Sequence, residues 1–391
     1  MTRGGRTPVA SIIIVVYAGG WDWLPRALDA IRAMTPDQYE VILLDNGPPG
    51  RVPSIFRREI AGATVIRNRE NVGFGPACNQ GAERARGRIL CFLNPDSFVS
   101  SGWLQPLVRL LDADPGIGAV VPQTLNLDGT LQEAGAFVDS RGHTCVFGDS
   151  DDPMLSEHRF RREVDFGSAS CLCIRRELFG EIGGFDPIYG RAYFEDADLC
   201  FRLRDEGFST IYEPSSQVVH VRTTAVTYEE ALSTAEGNRT IFVDRWNGAL
   251  ASRPTCVQVA EDSRVSLEAR DIHAHERLLV VESSETAYRL AQSRPRARVT
   301  LVTDEWLDGP KRESLLAGGV EVAEERHWRS WLEARASHYT IIVPSMCPAG
   351  RAITSLAIEL NPGAGVLERG QEHPVPTERS SRLQHHPMKR H

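Results

Sequence analysis

Two long apolar runs near the N-terminus constrain the fold of this chain more than any other feature. Residues 9–17 and 39–45 are mostly apolar and rich in β-branched side chains. Strands that are buried on both faces have this composition, and such strands occur in parallel sheets covered by helices. A helix-like stretch at 24–33 separates the two runs, so this region is predicted to form a βαβ unit.

The alternation of strands and helices continues along the chain to about residue 247. Further strands are predicted at 63–66, 88–93, 119–121, 171–174, 209–212 and 218–220. Further helices are predicted at 76–86, 103–112, 176–182, 197–206 and 228–246. This pattern predicts an α/β fold with a mostly parallel sheet flanked by helices, in which ligands bind at the carboxyl ends of the strands.

The character of the sequence changes near residue 252, where a charged and irregular stretch begins. Beyond it, new buried-type strands alternate with helical stretches, and no chemical motif is recognisable among them. We therefore predict a first domain over residues 1–250 and a smaller Rossmann-like α/β unit over 255–368. Residues 369–391 are rich in Pro, Arg, Ser and His, a composition typical of a disordered tail.

Composition argues against several classes of protein. The formal net charge of −8 disfavours nucleic-acid binding, which requires a basic face. The eight cysteines form no C-x-x-C pair; we interpret them as small core residues in a reducing compartment, not as a disulfide framework or a zinc site. The apolar run at 9–17 is too short to span a bilayer, and no signal-peptide pattern surrounds it. We expect a cytoplasmic protein, or one peripheral to the inner face of the membrane.

The tripeptide Asn94-Pro95-Asp96 directly follows the strand predicted at 88–93. A carboxylate at the end of a strand is well placed to hold a divalent cation against a diphosphate. Mg²⁺ or Mn²⁺ in that position neutralises the charge of a leaving phosphate group. The same tripeptide favours an Asx-Pro turn without any function, and these residues alone leave both interpretations open.

Three acidic residues fall within the four positions Glu195-Asp196-Ala197-Asp198, where a helix is predicted to begin. Acidic residues stabilise the first turn of a helix, so capping is one interpretation. Three acids exceed what a cap requires, and the crowding of their charges raises a pKa, as a general base needs. We therefore expect Asp196, with Glu195 beside it, to accept a proton from an acceptor hydroxyl.

Three weaker signals accompany these two motifs. His220 ends the strand predicted at 218–220, where a lone histidine is more often structural than a ligand. The segment at 71–79 lacks the third glycine of a dinucleotide fingerprint, but it suits a turn at which backbone approaches a nucleotide. A rival D-x-D motif, Asp149-Ser150-Asp151, ranks below Asp96, because it lies in a polar stretch at 139–165 that is predicted to be a long mobile loop.

Taken in order, these motifs resemble those of family 2 glycosyltransferases with the GT-A fold, in the rhamnosyltransferase-like branch. The resemblance covers about residues 8–247. Its pieces are SIIIVVY at 11–17, VILLDNG at 41–47, ENVGFGPACNQG at 70–81, FLNPD at 92–96, GGFDPIYGRAYFEDADLCFRLRDEGF at 183–208 and VVH at 218–220. Each piece is short, but the ordered set with these intervals is specific.

The resemblance implies roles on the nucleotide side of a site. The residues expected to bind the donor are Tyr17, Asp45, Asn46, Asn71, Gly73, Asn79, Asn94 and Asp96. Among them, Tyr17 and Asp45 would line the nucleoside pocket, with Asp45 recognising the base or the ribose. Asn71, Gly73 and Asn79 would shape the wall beside the nucleotide and the sugar.

The resemblance also implies a metal site and a base. Asp96 matches the second acid of the family's D-x-D motif, whereas Asn94 replaces the first and so removes one charge from the site. Asp96 and His220 would hold Mg²⁺ or Mn²⁺. Asp196, in the E-D motif with Glu195, would be the catalytic base.

The implied activity is that of an inverting glycosyltransferase. A sugar would pass from a dTDP- or UDP-linked donor to an acceptor hydroxyl in one in-line displacement. The acceptor would be a saccharide, a lipid-linked molecule or a natural product. The second unit would serve packing, homodimerisation or acceptor recruitment.

Two other functions stay open at this point. One is a non-catalytic nucleotide-sugar-binding or scaffold protein on the same fold, because Asn94 departs from the metal motif. The other is a sugar nucleotidyltransferase, although the segment that contains Gly19-Gly20 lacks the lysine that such enzymes use. The sequence has only two lysines, and neither occurs before Lys311.

Overall fold

The computed structural model describes residues 7–47, 62–222, 227–261, 269–270, 273–274, 276–294, 297–303, 307–323, 328–345 and 350–367. The chain divides into two compact units, residues 1–275 and 276–391. The boundary lies beyond the 250–255 region that the sequence suggests. The tail predicted at 369–391 lies outside the described residues.

The first unit is built on a large sheet flanked by helices. Its strands are β1 (Ala10–Val16), β2 (Tyr39–Asp45), β3 (Thr64–Arg67), β4 (Ile89–Leu93), β5 (Ser97–Val99), β6 (Ile117–Leu125), β7 (Leu131–Glu133), β8 (Ala136–Val138), β9 (Thr144–Val146), β10 (Arg162–Val164), β11 (Cys171–Arg175) and β12 (Ser209–His220). Its helices are α1 (Gly20–Met34), α2 (Phe74–Arg84), α3 (Leu104–Ala113), α4 (Arg176–Glu181), α5 (Glu195–Asp205), α6 (Tyr228–Leu250) and α7 (Cys256–Glu261), with 3₁₀ turns at Ser156–His158 and Pro187–Tyr189.

The sheet has the order β10-β12-β6-β11-β4-β1-β2-β3, with β5 beside β12 and β7 beside β6. The run β4-β1-β2-β3 is parallel, as predicted. Strand β11 runs antiparallel between β4 and β6, so the sheet as a whole is mixed. The α/β class is confirmed, and the antiparallel strands reflect connections that return without a crossover helix.

The parallel run has its predicted character, because every residue of β1, β2 and β4 is buried. Alternate side chains face opposite sides of a strand. Ile13 and Phe92 therefore belong to the apolar core on one face, whereas Ile12, Ile14 and Cys91 belong to the core on the other. Helices cover both faces, which leaves the carboxyl edge of the strands as the open edge of this layer.

A long strand brings a distant residue to that edge. Strand β12 pairs in parallel with β6 and antiparallel with the short strand β5. In the second pairing, His220 lies opposite Ser97, the residue after Asp96. A register set by backbone hydrogen bonds therefore places the predicted histidine beside the predicted metal-binding aspartate.

The stretch at 139–165 differs from the predicted long loop. It contains β9, a 3₁₀ turn and β10, and the side chains of Phe147, Phe160 and Val164 are buried in it. Strand β9 pairs with β8 as a hairpin. The polar residues that suggested a loop face solvent or bind one another, while these apolar side chains anchor the segment in the core.

The interpretation of the cysteines needs one correction. Cys78, Cys91, Cys171, Cys173 and Cys200 are free and buried, as expected of small core residues. Cys145 and Cys256, however, form a disulfide across 111 residues of sequence, with a Cα–Cα distance of 5.9 Å. The pairing joins β9 to α7, two elements that meet only in the folded chain, so residue spacing could not reveal it.

The second unit is a separate α/β layer. Its strands are β13 (Arg277–Val281), β14 (Arg298–Val302), β15 (Val320–Val322), β16 (Ile341–Val343) and β17 (Gly365–Val366). They form a parallel sheet of order β15-β14-β13-β16-β17, as in a Rossmann-like half. Its helices are α8 (Ser284–Ser293), α9 (Gly309–Ala317), α10 (Trp328–Glu333) and α11 (Gly350–Leu360).

The helices were also compared with the requirements of a membrane span. Throughout the described ranges, none combines the length and the apolar character that crossing a bilayer would take.

Reduction of the disulfide should destabilise the first unit. Closing a loop of 111 residues restricts the unfolded chain and contributes about 2–4 kcal/mol to the free energy of unfolding. Thermal unfolding with and without dithiothreitol should show a lower Tm in the reductant. A double variant with Cys145→Ser and Cys256→Ser should have the lower Tm in both conditions. Equal Tm values for the oxidised and reduced parent protein would contradict the prediction.

Candidate active site

A cavity of about 970 Å³ opens at the carboxyl ends of β1, β2 and β4. Most of the residues predicted for the site line it, namely Tyr17, Asn46, Asn71, Asn94, Asp96, Glu195, Asp196 and His220. The same cavity is bordered by β9 and by the first turns of α6. Within the described part of the chain, Asp45, Gly73 and Asn79 do not line it.

Asp45 ends β2 one residue before the cavity wall. Its carboxylate is 6% exposed and lies 3.7 Å from the Arg67 guanidinium. Burial raises the pKa of this carboxyl, and the charge of Arg67 opposes the rise. A hydrogen bond from the backbone N–H of Gly47 to this carboxylate also opposes the rise, while Oδ1 itself has no partner among the described residues.

Asn46 organises the loop that follows β3. Its amide nitrogen donates to Oδ1 of Asn71 at 2.9 Å and to the carbonyl of Gly73 at 3.1 Å. Its amide oxygen accepts from Asn68 and from the backbone N–H of Val72. These four bonds satisfy the whole amide of Asn46. Asn46 therefore holds the loop against the end of β2, and it also forms part of the cavity wall.

Gly73 and Asn79 act behind the cavity wall. Gly73 has φ +95°, and a β-carbon there would collide with the carbonyl oxygen of Gly190. Asn79 binds both backbone groups of Phe185, accepting from its N–H at 2.9 Å and donating to its carbonyl at 2.8 Å. Both residues therefore tie the 70–84 region to the segment that precedes α5. They shape the site indirectly, whereas the resemblance suggested contact with nucleotide or sugar.

Asp96, Asn94 and His220 form the polar floor of the cavity. Nε2 of His220 lies 3.4 Å from Oδ1 of Asp96 and 3.3 Å from the amide nitrogen of Asn94. Asp96 is 3% exposed, and its backbone carbonyl accepts from the N–H of Val221. Three polar side chains thus converge at the ends of β4 and β12, namely the carboxylate of Asp96, the amide of Asn94 and the imidazole of His220.

Gln132 on β7 determines which ring nitrogen of His220 faces Asp96. The Gln132 amide nitrogen donates to Oδ1 of Asn126 and to the carbonyl of His220, both at 2.9 Å. Its oxygen must therefore accept from Nδ1 of His220, 2.8 Å away. A neutral His220 ring then presents the Nε2 lone pair to Asp96, an arrangement typical of a metal-binding histidine held by a second residue.

Glu195 and Asp196 begin α5 on the opposite wall. Asp196 accepts from the N–H of Ala169 at 3.1 Å and from that of Ala197 at 2.8 Å. Burial raises its pKa despite these bonds. Glu195 is 6% exposed, and burial together with the charge of Asp196 raises its pKa to about 8. At neutral pH Glu195 is therefore mostly protonated, and burial holds the pKa of Asp196 above its usual range.

Asp198, the third acid of the motif, is structural. It is fully buried and is bound by Tyr189, Arg202, Arg245 and Trp246 at 2.7–3.0 Å. Two arginines and two neutral donors balance its charge, so Asp198 fastens α5 to its surroundings. Of the three acids at this helix start, Asp198 anchors the helix, whereas Glu195 and Asp196 border the cavity.

Sequence reasoning missed two residues on β7. Glu133 follows Gln132, is buried and accepts from the N–H of Ser168 at 3.0 Å, next to the N–H that binds Asp196. Burial, and to a smaller extent the charge of Asp196, raises the pKa of Glu133 to about 7. The stretch LQEAG at 131–135 has no motif character, so only the pairing of β7 with β6 could bring these side chains to the site.

The rival motif serves other contacts. Asp149 lies 3.2 Å from the guanidinium of Arg222, and Asp151 lies 2.9 Å from Nε2 of the buried His158. Asp151, Glu157 and His158 offer ligand atoms close together. Arg270 already binds Glu157 at 3.1 Å, however, and the charges of Arg162 and Arg270 oppose a cation there.

The sequence was also compared with known proteins. The model of glycosyl transferase family 2 matches residues 11–183. The N-acetylglucosaminyl-diphospho-decaprenol L-rhamnosyltransferase of Mycobacterium tuberculosis is 27% identical over 267 residues, which cover 62% of this chain and 86% of that protein. An uncharacterized protein of Sinorhizobium fredii is 26% identical over 225 residues, or 55% of this chain, but this match spans only 24% of that protein's length.

A solved structure gives a weaker likeness. The crystal structure of GalNAc-T7 with UDP, GalNAc and Mn²⁺ aligns with a TM-score of 0.47 at 22% identity, over 56% of this chain and 44% of that one. A score this low carries no argument about the site. The family match and the mycobacterial relative rest on sequence, and residues 11–183 include β1, β2 and β4 with the motifs at their carboxyl ends. Residues 11–183 of this chain therefore match the family 2 glycosyltransferases, and the first unit has the GT-A type of α/β fold.

Proposed function

We propose that this protein is an inverting glycosyltransferase that moves a sugar from a dTDP- or UDP-linked donor to an acceptor hydroxyl. The observation that carries the proposal is the composition of one cavity. Asp96 and His220 form its floor, and Asp196 stands on the wall that α5 contributes. The residues proposed to act on the leaving diphosphate, Asp96 and His220, thus line the same cavity as Asp196, which is proposed to act on the attacking hydroxyl.

The nucleoside belongs at the ends of β1 and β2. Tyr17 offers a ring at the cavity wall, and Asp45, buried behind that wall, is the residue that we propose to recognise the base or ribose. Asn46 and Asn71 hold the adjoining loop in place. Rigid polar groups of this kind orient a nucleotide without changing shape when it binds.

The floor residues fit a divalent cation such as Mg²⁺ or Mn²⁺. The Asp96 carboxylate, the Nε2 lone pair of His220 and, after rotation of its amide, the oxygen of Asn94 are ligands that such ions accept. When bound, the ion would neutralise charge on the departing diphosphate.

Asp196 is the proposed base. It takes the proton of the acceptor hydroxyl while that oxygen attacks the anomeric carbon. The bond from this carbon to the diphosphate oxygen breaks, and the nucleoside diphosphate leaves with the electron pair. One displacement inverts the anomeric centre. Glu195, with a pKa raised to about 8, is mostly protonated at neutral pH and adds little negative charge beside Asp196.

The acceptor approaches from the side that β9 and α6 form. Thr144, Val146, Glu229 and Ser233 line this side, a mixture of hydroxyl, apolar and acidic groups suited to a sugar. A saccharide, a lipid-linked acceptor or a glycosylated natural product would fit this chemistry. The name of the mycobacterial relative favours the lipid-linked class, and with it an enzyme that works near a membrane surface. For the second unit we propose packing, homodimerisation or acceptor recruitment.

The substitution Asp196→Asn should lower turnover by about 10²- to 10⁴-fold, because an amide cannot accept the proton. Release of nucleoside diphosphate from a panel of dTDP- and UDP-sugars, with Mn²⁺, would measure it. Binding of dTDP or UDP should stay within about threefold, or about 0.7 kcal/mol. The control Asp205→Asn, exposed at the end of the same helix, should keep full activity. Full activity of Asp196→Asn would refute the base assignment.

Calorimetry of dTDP and UDP binding with and without Mn²⁺ tests the cation site. Replacing Asp96 by Asn should weaken the Mn²⁺-dependent binding by at least about tenfold, or about 1.4 kcal/mol. The matched change Asp149→Asn, in the rival motif, should leave it unaltered. The reverse pattern would indicate that the metal binds at the 149–151 segment.

Nucleotide binding without metal dependence or turnover would favour a non-catalytic sugar-binding protein, and release of pyrophosphate from a nucleoside triphosphate would favour a nucleotidyltransferase.

Replacement of Glu195 by Gln should change how stability depends on pH. The folded chain holds a proton on Glu195 up to about pH 8, whereas the unfolded chain releases it near pH 4.5. Wild-type stability contributed by this group is therefore complete below pH 4.5 and falls as pH rises toward 8, by about 1.4 kcal/mol per pH unit. The variant lacks this loss, so its Tm should rise relative to wild type between pH 5 and 8.

The exposed Glu177 provides the control for that comparison. Glu177→Gln should follow the wild-type Tm at every pH. Parallel curves for Glu195→Gln and wild type would show that Glu195 is ionised in the folded protein, and the assignment of the proton would then be wrong.

A further inference from the structure

The segment before the catalytic pair has an unusual backbone. Tyr193 and Phe194 both adopt positive φ, at 77° and 73°, and Gly190 has φ 63°. For residues with bulky side chains this conformation costs free energy and persists only where the surrounding structure holds it. Glu195 and Asp196 follow directly, so any relaxation of this turn would redirect the carboxylate of Asp196.

One side chain from a distant helix holds the turn. Asn238 of α6 is 7% exposed, and its amide nitrogen donates to the carbonyl of Tyr189 at 2.7 Å, of Ala192 at 2.8 Å and of Tyr193 at 2.9 Å. The amide has two hydrogens, so the three carbonyls share them. These three carbonyls span the turn up to its two positive-φ residues.

Further residues on the same face of α6 fasten the start of α5. The ring of Phe242 lies 5.3 Å from that of Phe194. Arg245 and Trp246 each donate to Asp198 at 3.0 Å. Positions four, seven and eight residues after Asn238 fall on one side of a helix. These contacts are apolar or go to the carboxylate of Asp198. Asn238 supplies side-chain hydrogen bonds to the turn itself, and the backbone N–H of Phe74 adds one to the carbonyl of Arg191 at 2.8 Å.

Helix α6 also reaches the cavity. Glu229, Ser233 and Thr234 in its first turns line the acceptor side, as do Arg191 and Tyr193 of the turn. The helix that borders the acceptor therefore also determines the backbone next to Asp196. Among the described residues at the ends of β1 and β2, on the nucleotide side, none forms a hydrogen bond with the side chain of Asn238.

We propose that Asn238 is a positioning residue for the transfer reaction, whose bonds to the three carbonyls keep the strained turn in the form that aims Asp196 into the cavity. The catalytic part of this inference rests on the proposed function. The conformational part rests on the contacts alone. Loss of Asn238 should loosen residues 189–196, reduce the rate of the chemical step and spare binding of the nucleotide.

Hydrogen–deuterium exchange of Asn238→Ala tests the conformational part without any turnover. Peptides covering 189–196 should exchange at least about tenfold faster than in wild type, which corresponds to about 1.4 kcal/mol of local opening, while peptides from β1 and β2 stay unchanged. Asn238→Asp places acceptors against the three carbonyls and should accelerate exchange at least as much. Asn247→Ala, an exposed position on the same helix, is the control and should behave as wild type.

Steady-state kinetics with a donor sugar that supports turnover tests the catalytic part of the proposal. For Asn238→Ala, kcat should fall about 10- to 100-fold, while KM for the donor and the affinity for UDP or dTDP with Mn²⁺ stay within about threefold. A merely structural role predicts a lower Tm with unchanged kcat in the fraction that is folded. Should Asn238→Ala fail to fold, Asn238→Ser retains one donor and carries the same comparison.

The outcomes separate the two proposals. Wild-type exchange of residues 189–196 in Asn238→Ala and Asn238→Asp would overturn the positioning role. Faster exchange with unchanged kcat would overturn its catalytic consequence. If the wild-type enzyme releases no nucleoside diphosphate from any donor, the proposed function fails, and accelerated exchange would still establish that Asn238 holds the turn.

Discussion

The parallel pairing of β1 with β4 and β2 is the constraint on which the rest of the site depends. Every residue of the three strands is buried, so the layer tolerates no shift in register. Because the strands run the same way, their carboxyl ends share one edge, where the chain leaves the ladder and polar side chains can face a ligand. Tyr17, Asn46 and Asp96 reach the cavity for this reason. His220 reaches it differently, through the antiparallel register of β12 with β5.

The buried acids of this region differ in how far neighbouring positive charges compensate them. Asp198 is surrounded by arginine and neutral donors, so its buried charge is balanced. Glu195, Asp196 and Glu133 are buried with backbone N–H donors as their main support, and burial raises the pKa of each. Carboxyls in such surroundings hold or exchange protons near neutral pH, which is what acid–base chemistry requires. A count of acidic residues could not make this distinction, because it depends on partners from other elements.

The parts that sequence reasoning predicted well depend on local pattern. Apolar runs identified β1, β2 and β4, and the residues after them carried the motifs. The stretch at 139–165 was misjudged because its polar composition hid a few deeply buried side chains such as Phe147 and Phe160. The Cys145–Cys256 disulfide was missed because the two residues are 111 positions apart. Gln132 was missed because its role exists only through contact with His220.

The class of fold and the ordered motifs follow from local sequence, since strand burial and helix periodicity are properties of neighbouring residues. The positions of the acids and the histidine along the chain follow from it as well. Their roles depend on contacts that form only in the folded chain. The folded chain places Nε2 of His220 against Asp96 and brings Asn238 to the turn before α5. It also gives Asp198 arginine partners that Asp196 lacks among the hydrogen bonds of the described residues. Hydrogen-bond partners and burial arise from contacts between distant segments, and these fix tautomer, proton affinity and backbone strain.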